Sequence, residues 1–294
     1  MRFCEKIYLT LLPPTEEDPK SDRLRLLDAL AALKYSPVEI PLQVLQRLHT
    51  SCLEGHYQIT VTLVYREKDW VATDVEPGDT RSSHYGIAVD YGSTTIVMQL
   101  VDLNTGNVVA QDSEKNGQIQ YGTDILTRIT YAMEDSSHTE DLHRATIETF
   151  RLLLRRMAQE TGIPAESCPL MIISGNTTMI HFLLQLDART VFFAPYAPVT
   201  LAPGWFFGSE LELGFSGVAY IIPAASNYIG GDIVSGLLNL DFCRDDEVKL
   251  FFDIGTNGEL VIGSREWLLA GAAPPGPLWR DISAVMASAP KTAP

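Results

Sequence analysis

One short pattern occurs twice in this 294-residue chain, each time at the end of an apolar run. Asp90-Tyr91-Gly92-Ser93-Thr94-Thr95 closes YGIAV, and Asp253-Ile254-Gly255-Thr256-Asn257-Gly258 closes LFF; TIVMQLVDL follows the first copy and ELVIG the second. A single turn of this kind is ordinary, since Gly supplies a positive φ and Ser or Thr bonds locally. Two copies after matched strands, a domain length apart, predict a duplicated strand–turn–strand unit. The residue types also suit phosphate. Close approach to a phosphate needs backbone without bulk and a turn that exposes amides. Gly92 and Gly255 provide that access, and Ser93, Thr94, Thr95, Thr256 and Asn257 add side-chain donors. Asp90 and Asp253 stand at strand ends, where carboxylates can hold a hydrated divalent cation opposite a polyphosphate. The two turns are therefore expected to face one cleft.

The remaining chain reads as an α/β protein in three parts. Residues 1–80 form a small α+β unit. Ile7, Leu9 and Leu11 alternate as a strand, Asp22 to Leu33 is a helix capped by Ser21 with Leu24, Leu27 and Leu30 or Ala31 on one face, and Pro41 opens a second helix carrying Leu42, Leu45 and Leu48. Ile59 to Tyr65 and Trp70 to Val75 make a hairpin, and the polar stretch EPGDTRSSH is a boundary. A first lobe spans 85–242. It opens with three antiparallel strands from Tyr85 to Ser113, followed by a long helix with Ser137 and Glu140 as a capping box and Leu142, Phe150, Leu153, Leu154 and Met157 on its apolar stripe. Pro169–Ser174 reads as a strand, Thr177–Leu186 as a helix, Gly217–Pro223 as another strand and Gly231–Leu240 as a helix. The second copy starts a part spanning 248–294.

Charge and composition remove several function classes. Twenty-two basic against 37 acidic side chains leave a formal charge of −15, opposite to what displacing counterions from nucleic acid requires. Thr190 to Ser209 carries no charge, but Pro195, Pro198 and Pro203 break it, so no membrane span is expected. Cys4, Cys52, Cys168 and Cys243 lie far apart without a paired spacing, so no zinc site or iron–sulfur cluster is expected in this chain. A soluble cytoplasmic protein with reduced thiols is the expectation.

The paired turns resemble the two phosphate loops of the actin, Hsp70 and sugar-kinase ATPases. More narrowly, LTLLPPTEEDPKSDRLRLLDAL, YGIAVDYGSTTIVMQLVDLNTG, QIQYGTDILTRITYA, SGNTTMIHFLL, APYAP, IGGDIVSGLL and FFDIGTNGELVIG resemble the reductive activators of corrinoid proteins. The resemblance implies an actin-like (ribonuclease H-like) ATPase lobe with a mixed sheet, using ATP and Mg²⁺. It also implies that hydrolysis is coupled to electron delivery from an iron–sulfur donor onto Co(II) corrinoid, giving Co(I). By that resemblance Asp90, Gly92, Ser93, Thr94 and Thr95 fall on the first phosphate loop, and Asp253, Gly255, Thr256, Asn257 and Gly258 on the second. Asp90 and Asp253 would serve the metal. Asp232 falls on the helix connecting the lobes, where it can orient a water or hold magnesium, or simply favour the helix dipole. Gly175, Asn176 and Thr177 lie between a strand and a helix, as a ligand contact or an N-cap. His181 reads as a bonded core histidine.

The implied partner is a corrinoid protein or a corrinoid-dependent methyltransferase, with a separate ferredoxin-type donor, since the ferredoxin cysteines of the family are not found here. The part from 248 is short against the first lobe, so an incomplete second lobe and weak ATP binding are expected. The apolar edges at Leu250–Ile254 and Leu260–Gly263 would then invite association, a homodimer included. Two other readings stay open: a different actin-fold small-molecule kinase and a non-catalytic docking module.

Overall fold

Alternating apolar residues at the N-terminus build a sheet closed by two helices. The computed structural model describes residues 3–240, 242, 244–254, 258–273 and 285–288. In chain order the first unit contains β1 (Cys4–Thr10), α1 (Asp22–Ala32), β2 (Val38–Glu39), α2 (Leu42–Glu54), β3 (Gln58–Arg66) and β4 (Asp69–Pro77). Its strand order is β1-β3-β4-β2, antiparallel except for β2 against β4. Ser21 caps α1 as expected, its Oγ accepting the Leu24 N–H at 3.4 Å. The buried faces match the expected ones only in part, since Leu30 and Leu48 are buried and Leu27 packs on the core as expected. Helix α1 buries Leu26 and Leu30 and leaves Leu24 exposed, and α2 buries Val44, Leu48 and Cys52 while Leu42 and Leu45 face water. Each helix carries one apolar stripe at i, i+3 spacing and another at i, i+4 spacing, and the sheet selects the one whose crossing fits.

The second unit contains β5 (Tyr85–Tyr91), β6 (Thr95–Asp102), β7 (Val108–Lys115), α3 (Ile125–Glu134), α4 (His138–Thr161), β8 (Leu170–Gly175), α5 (Thr177–Leu183), α6 (Arg189–Phe192), β9 (Gly204–Phe207) and β10 (Val218–Ile221). The mixed sheet runs β7-β6-β5-β8-β10-β9, with β5, β8 and β10 parallel and the flanking pairs antiparallel. The expected opening of three antiparallel strands is present. Strand β9 was not expected, because its Gly204-Trp205-Phe206-Phe207 follows a proline-rich stretch and is recognisable only by its pairing with β10. The stripe of α4 packs as expected, with Leu142, Phe150, Leu153, Leu154 and Met157 all buried, and Phe150 meets Tyr91 edge-on at 5.4 Å. Burying one such side chain is worth about 1.5–3 kcal/mol. The expected capping box does not form. Ser137 has helical dihedrals and donates its hydroxyl to Asp135 at 2.8 Å, so it does not cap α4. Gly162, at φ +73°, closes the helix.

The third unit contains α7 (Gly231–Asn239), β11 (Lys249–Ile254), β12 (Gly258–Gly263), β13 (Trp267–Ala273) and β14 (Val285–Ser288), the strands forming an antiparallel meander. Helix α7 bridges the six-stranded sheet and the β11–β14 sheet. Its Ile233 is buried with Phe242 and Val261, and its Ser235 hydroxyl meets that of Ser174 on β8 at 2.9 Å. Among the described residues no helix is long and apolar enough to cross a membrane.

Candidate functional site

The cleft lies where α7 holds the β5–β6 hairpin opposite the β11–β12 hairpin. It encloses about 880 Å³, and its walls include Asp90, Gly92, Ser93, Thr94 and Thr95 from one hairpin, Asp253 and Glu259 from the other, and Asn176 and Asp232 between them. Chain segments far apart in sequence thus meet as expected for Asp90, Ser93, Asp232 and Asp253. Gly255, Thr256 and Asn257 lie outside the described residues. Gly258 starts β12 opposite Ile254, and Gly175 and Thr177 are buried beside the cleft without lining it.

Local chemistry explains the geometry. A Cβ on Gly92 would sit 2.4 Å from the Thr95 carbonyl oxygen, so the first turn closes only with glycine there. A Cβ on Gly230 would lie 2.5 Å from the Asn176 Cα and 2.6 Å from an Asp232 carboxylate oxygen. Glycine at that point lets the N-terminus of α7 pack directly on the β8–α5 turn and brings Asp232 into the cleft. Asn176 is the N-cap of α5, its Oδ1 accepting the Met179 N–H at 3.0 Å, and Thr177 donates its hydroxyl to the Ser226 carbonyl at 3.0 Å. Both therefore have structural tasks, and only Asn176 also reaches the cleft. His181 is fully buried with Nδ1 2.7 Å from the Thr177 carbonyl, and burial pushes its pKa down, so it is a neutral core histidine as expected.

Glu259 was not expected. Aligned without a gap, it matches Ile96 of the first copy, which is fully buried in the core. The ladders show why the two differ. Tyr91 pairs with Ile96, leaving four residues in the first turn, whereas Ile254 pairs with Gly258, leaving three in the second. One residue fewer reverses the faces of the returning strand. Glu259 consequently sits opposite Asp253, as Val97 sits opposite Asp90, and both look into the cleft. The legible signal was a carboxylate at the head of an otherwise apolar strand, ELVIG.

The electrostatics of the cleft are one-sided. Among its described lining residues there are four carboxylates and no lysine or arginine. Burial, then Asp232 and Asp253, pushes Glu259 up to about 7. Burial also lifts Asp232 to about 6, with Asp253 and Asp90 adding to it and the Ile233 N–H, 2.9 Å from Oδ1, opposing it. Asp90 opens to the water of the cleft, yet the surrounding walls still desolvate it and raise its pKa, with Asp253 adding to the effect. Among the described residues no three His, Cys, Asp or Glu side chains close into a metal cage. Carboxylates spaced around a wide cleft fit a cation that keeps most of its water and takes one or two protein ligands, as Mg²⁺ does.

A mixed five-plus-edge sheet joined through one helix to a second hairpin, with the two Asp-x-Gly strand ends converging, defines an actin-like α/β protein. Residues 85–245 match the family described as the RACo middle region, residues 3–82 the RACo linker region, and residues 247–279 the C-terminal domain of RACo, the ASKHA domain. The chain belongs to the RACo family. It is similar to a solved reductive activator for corrinoid, iron-sulfur protein, at 31% identity and a TM-score of 0.84 over 92% of this chain and 44% of that one. It is also 29% identical over 195 residues to the corrinoid activation enzyme RamQ of Eubacterium limosum, covering 66% of this chain and 32% of that protein. A [Co(II) methylated amine-specific corrinoid protein] reductase of Methanosarcina barkeri is 27% identical over 220 residues, 70% of this chain and 39% of its own length. The chain thus spans between about a third and two fifths of the curated relatives it matches.

Proposed function

We propose that this chain provides the phosphate-handling part of an ATP-dependent reductive activator of a corrinoid protein. The observation that carries the proposal is the convergence of Asp90, Asp232 and Asp253 on one cleft beside the Gly92–Thr95 turn. Family membership supplies the reaction class. Three units follow from this reading: residues 1–80, 85–242 and a second-lobe portion from 248. Asp90 and Asp253 would hold hydrated Mg²⁺, which supplies charge neutralisation when bound. Ser93, Thr94 and Thr95 would contact phosphate oxygens, and the second turn, Gly255 to Gly258, would close from the other side. Asp232, lifted to about 6, sits near the range of a general base and would orient the attacking water. One electron from a reduced iron–sulfur protein would convert Co(II) corrinoid to Co(I), with hydrolysis driving the transfer.

The test is Mg²⁺-dependent ATP hydrolysis with and without a corrinoid protein and a reduced iron–sulfur donor, following Co(I) by its absorbance. Hydrolysis stimulated by the corrinoid protein and Co(I) formation are expected. A phosphorylated metabolite would establish a kinase instead, and a chain that never takes up nucleotide would be a docking module.

A further inference from the structure

The stretch from Asn116 to Arg128, part of QIQYGTDILTRITYA, is not used by the proposed chemistry, yet it lies directly behind the first turn. Asn116 Nδ2 donates to the Gly92 carbonyl at 2.9 Å, Arg128 Nη2 to the Ser93 carbonyl at 2.7 Å, and the Asn116 backbone N–H to the Thr94 carbonyl at 2.9 Å. Three consecutive carbonyls of the turn are thus held from the protein side. Asn116 is 1% exposed, and Arg128 and Gln118 not at all. Among the described residues Arg128 hydrogen-bonds neutral groups, the Gly122 carbonyl at 2.9 Å, Gln118 Oε1 at 3.4 Å and Met179 Sδ at 3.5 Å, besides Ser93, while Asp124 acts on it through space. A fully buried guanidinium with no carboxylate hydrogen-bonded to it among the described residues carries a large desolvation cost, which a purely structural role could avoid with an apolar residue.

Resting on the phosphate-loop reading above, we infer that Asn116 and Arg128 are positioning residues that lock the Gly92–Thr94 peptides with their N–H side toward the cleft. A trans peptide holds each N–H opposite the preceding carbonyl. Fixing the Gly92 and Ser93 carbonyls inward therefore turns the following N–H edges outward, toward the cleft that both residues line. The turn would then be an anion cradle before any ligand arrives, with one buried positive charge behind it.

Two measurements on the full chain test this, using Arg128→Lys and Asn116→Asp. The second variant keeps the Oδ1 that accepts the Gln118 N–H at 3.0 Å and replaces the donor to Gly92 with a second carboxyl oxygen, so it carries the test if Arg128→Lys fails to fold. Amide hydrogen exchange in the free protein should accelerate about tenfold or more at residue 116, whose N–H donates to the Thr94 carbonyl, while β8 stays protected. Mg-ATP affinity by calorimetry should weaken about tenfold, with a similar loss for Mg-pyrophosphate, which has no base or sugar. Wild-type exchange at residue 116 in both variants overturns the clamp. Faster exchange with unchanged Mg-ATP and pyrophosphate affinity overturns its role in ligand binding. A wild-type chain that binds neither ligand overturns the phosphate-loop reading instead, and the exchange result still decides the clamp.

Discussion

At the residue scale, the cleft stores electrostatic strain in Asp232 and Glu259. Both have folded pKa values above their ordinary ones, about 6 and about 7. A raised carboxylate binds its proton more tightly in the folded state, so its destabilising effect is absent below the ordinary pKa. The effect grows as pH climbs from about 4 through 6 and 7, and is complete above that. Stability should therefore fall over that window, by on the order of 1–3 kcal/mol per group. Glu259→Gln should raise Tm at pH 8 and leave it nearly unchanged at pH 4, which thermal denaturation at both values checks. A pH-independent shift in Tm would show that Glu259 is not strained. Mg²⁺ without nucleotide should act in the same direction, raising Tm at pH 8, and should release protons when it binds at about pH 6, where Asp232 and Glu259 are still partly protonated, as buffer-dependent calorimetry would detect. Asp232→Asn, by contrast, should cut any hydrolysis rate by about 10²-fold or more with a smaller effect on nucleotide affinity, if the proposed role of Asp232 on the attacking water holds.

At the element scale, the strands and helices that carry the site were legible because their patterns are unambiguous. β5 and β6 are apolar runs, β7 follows a tight turn, and α4 has a single apolar stripe over 24 residues. Phe150→Ala, at the centre of that stripe, should cost about 3–5 kcal/mol in urea denaturation, since the residue is fully enclosed against Tyr91. A loss below about 1 kcal/mol would mean that the α4 packing described here is wrong. Helices α1 and α2 were legible as helices but not in orientation, because leucines on two faces leave the choice to the sheet. The cap at Ser137 failed for a related reason. Asp135 competes for the hydroxyl, and a short-range bond that sequence spacing does not weigh wins it.

At the scale of the whole molecule, the first two sheets meet through a small apolar contact of Cys4, Val64, Leu170 and Val218, with Cys4 Sγ 3.2 Å from His84 Nε2. Burial pushes the thiols of Cys52 and Cys168 up to about 11 and about 12 and raises Cys4 as well. A thiol reagent at pH 8 should therefore leave Cys4, Cys52 and Cys168 unmodified in the native chain and label them on unfolding, as mass spectrometry of the labelled peptides would show. Native labelling of Cys4 would mean that the contact between the sheets opens. By itself the sequence determined the duplicated hairpins, the mixed α/β class and the acids at the two strand ends, because each is written in local pattern: strand alternation, a glycine turn and a carboxylate at a strand terminus. Only the tertiary structure decided which of those residues share a cleft, since that depends on Gly230 letting α7 dock against Asn176. It also decided that Glu259 joins them while Ile96 does not. A turn shorter by one residue moves a strand's whole set of side chains to the other face, and the length of a turn is set by which residues pair across it.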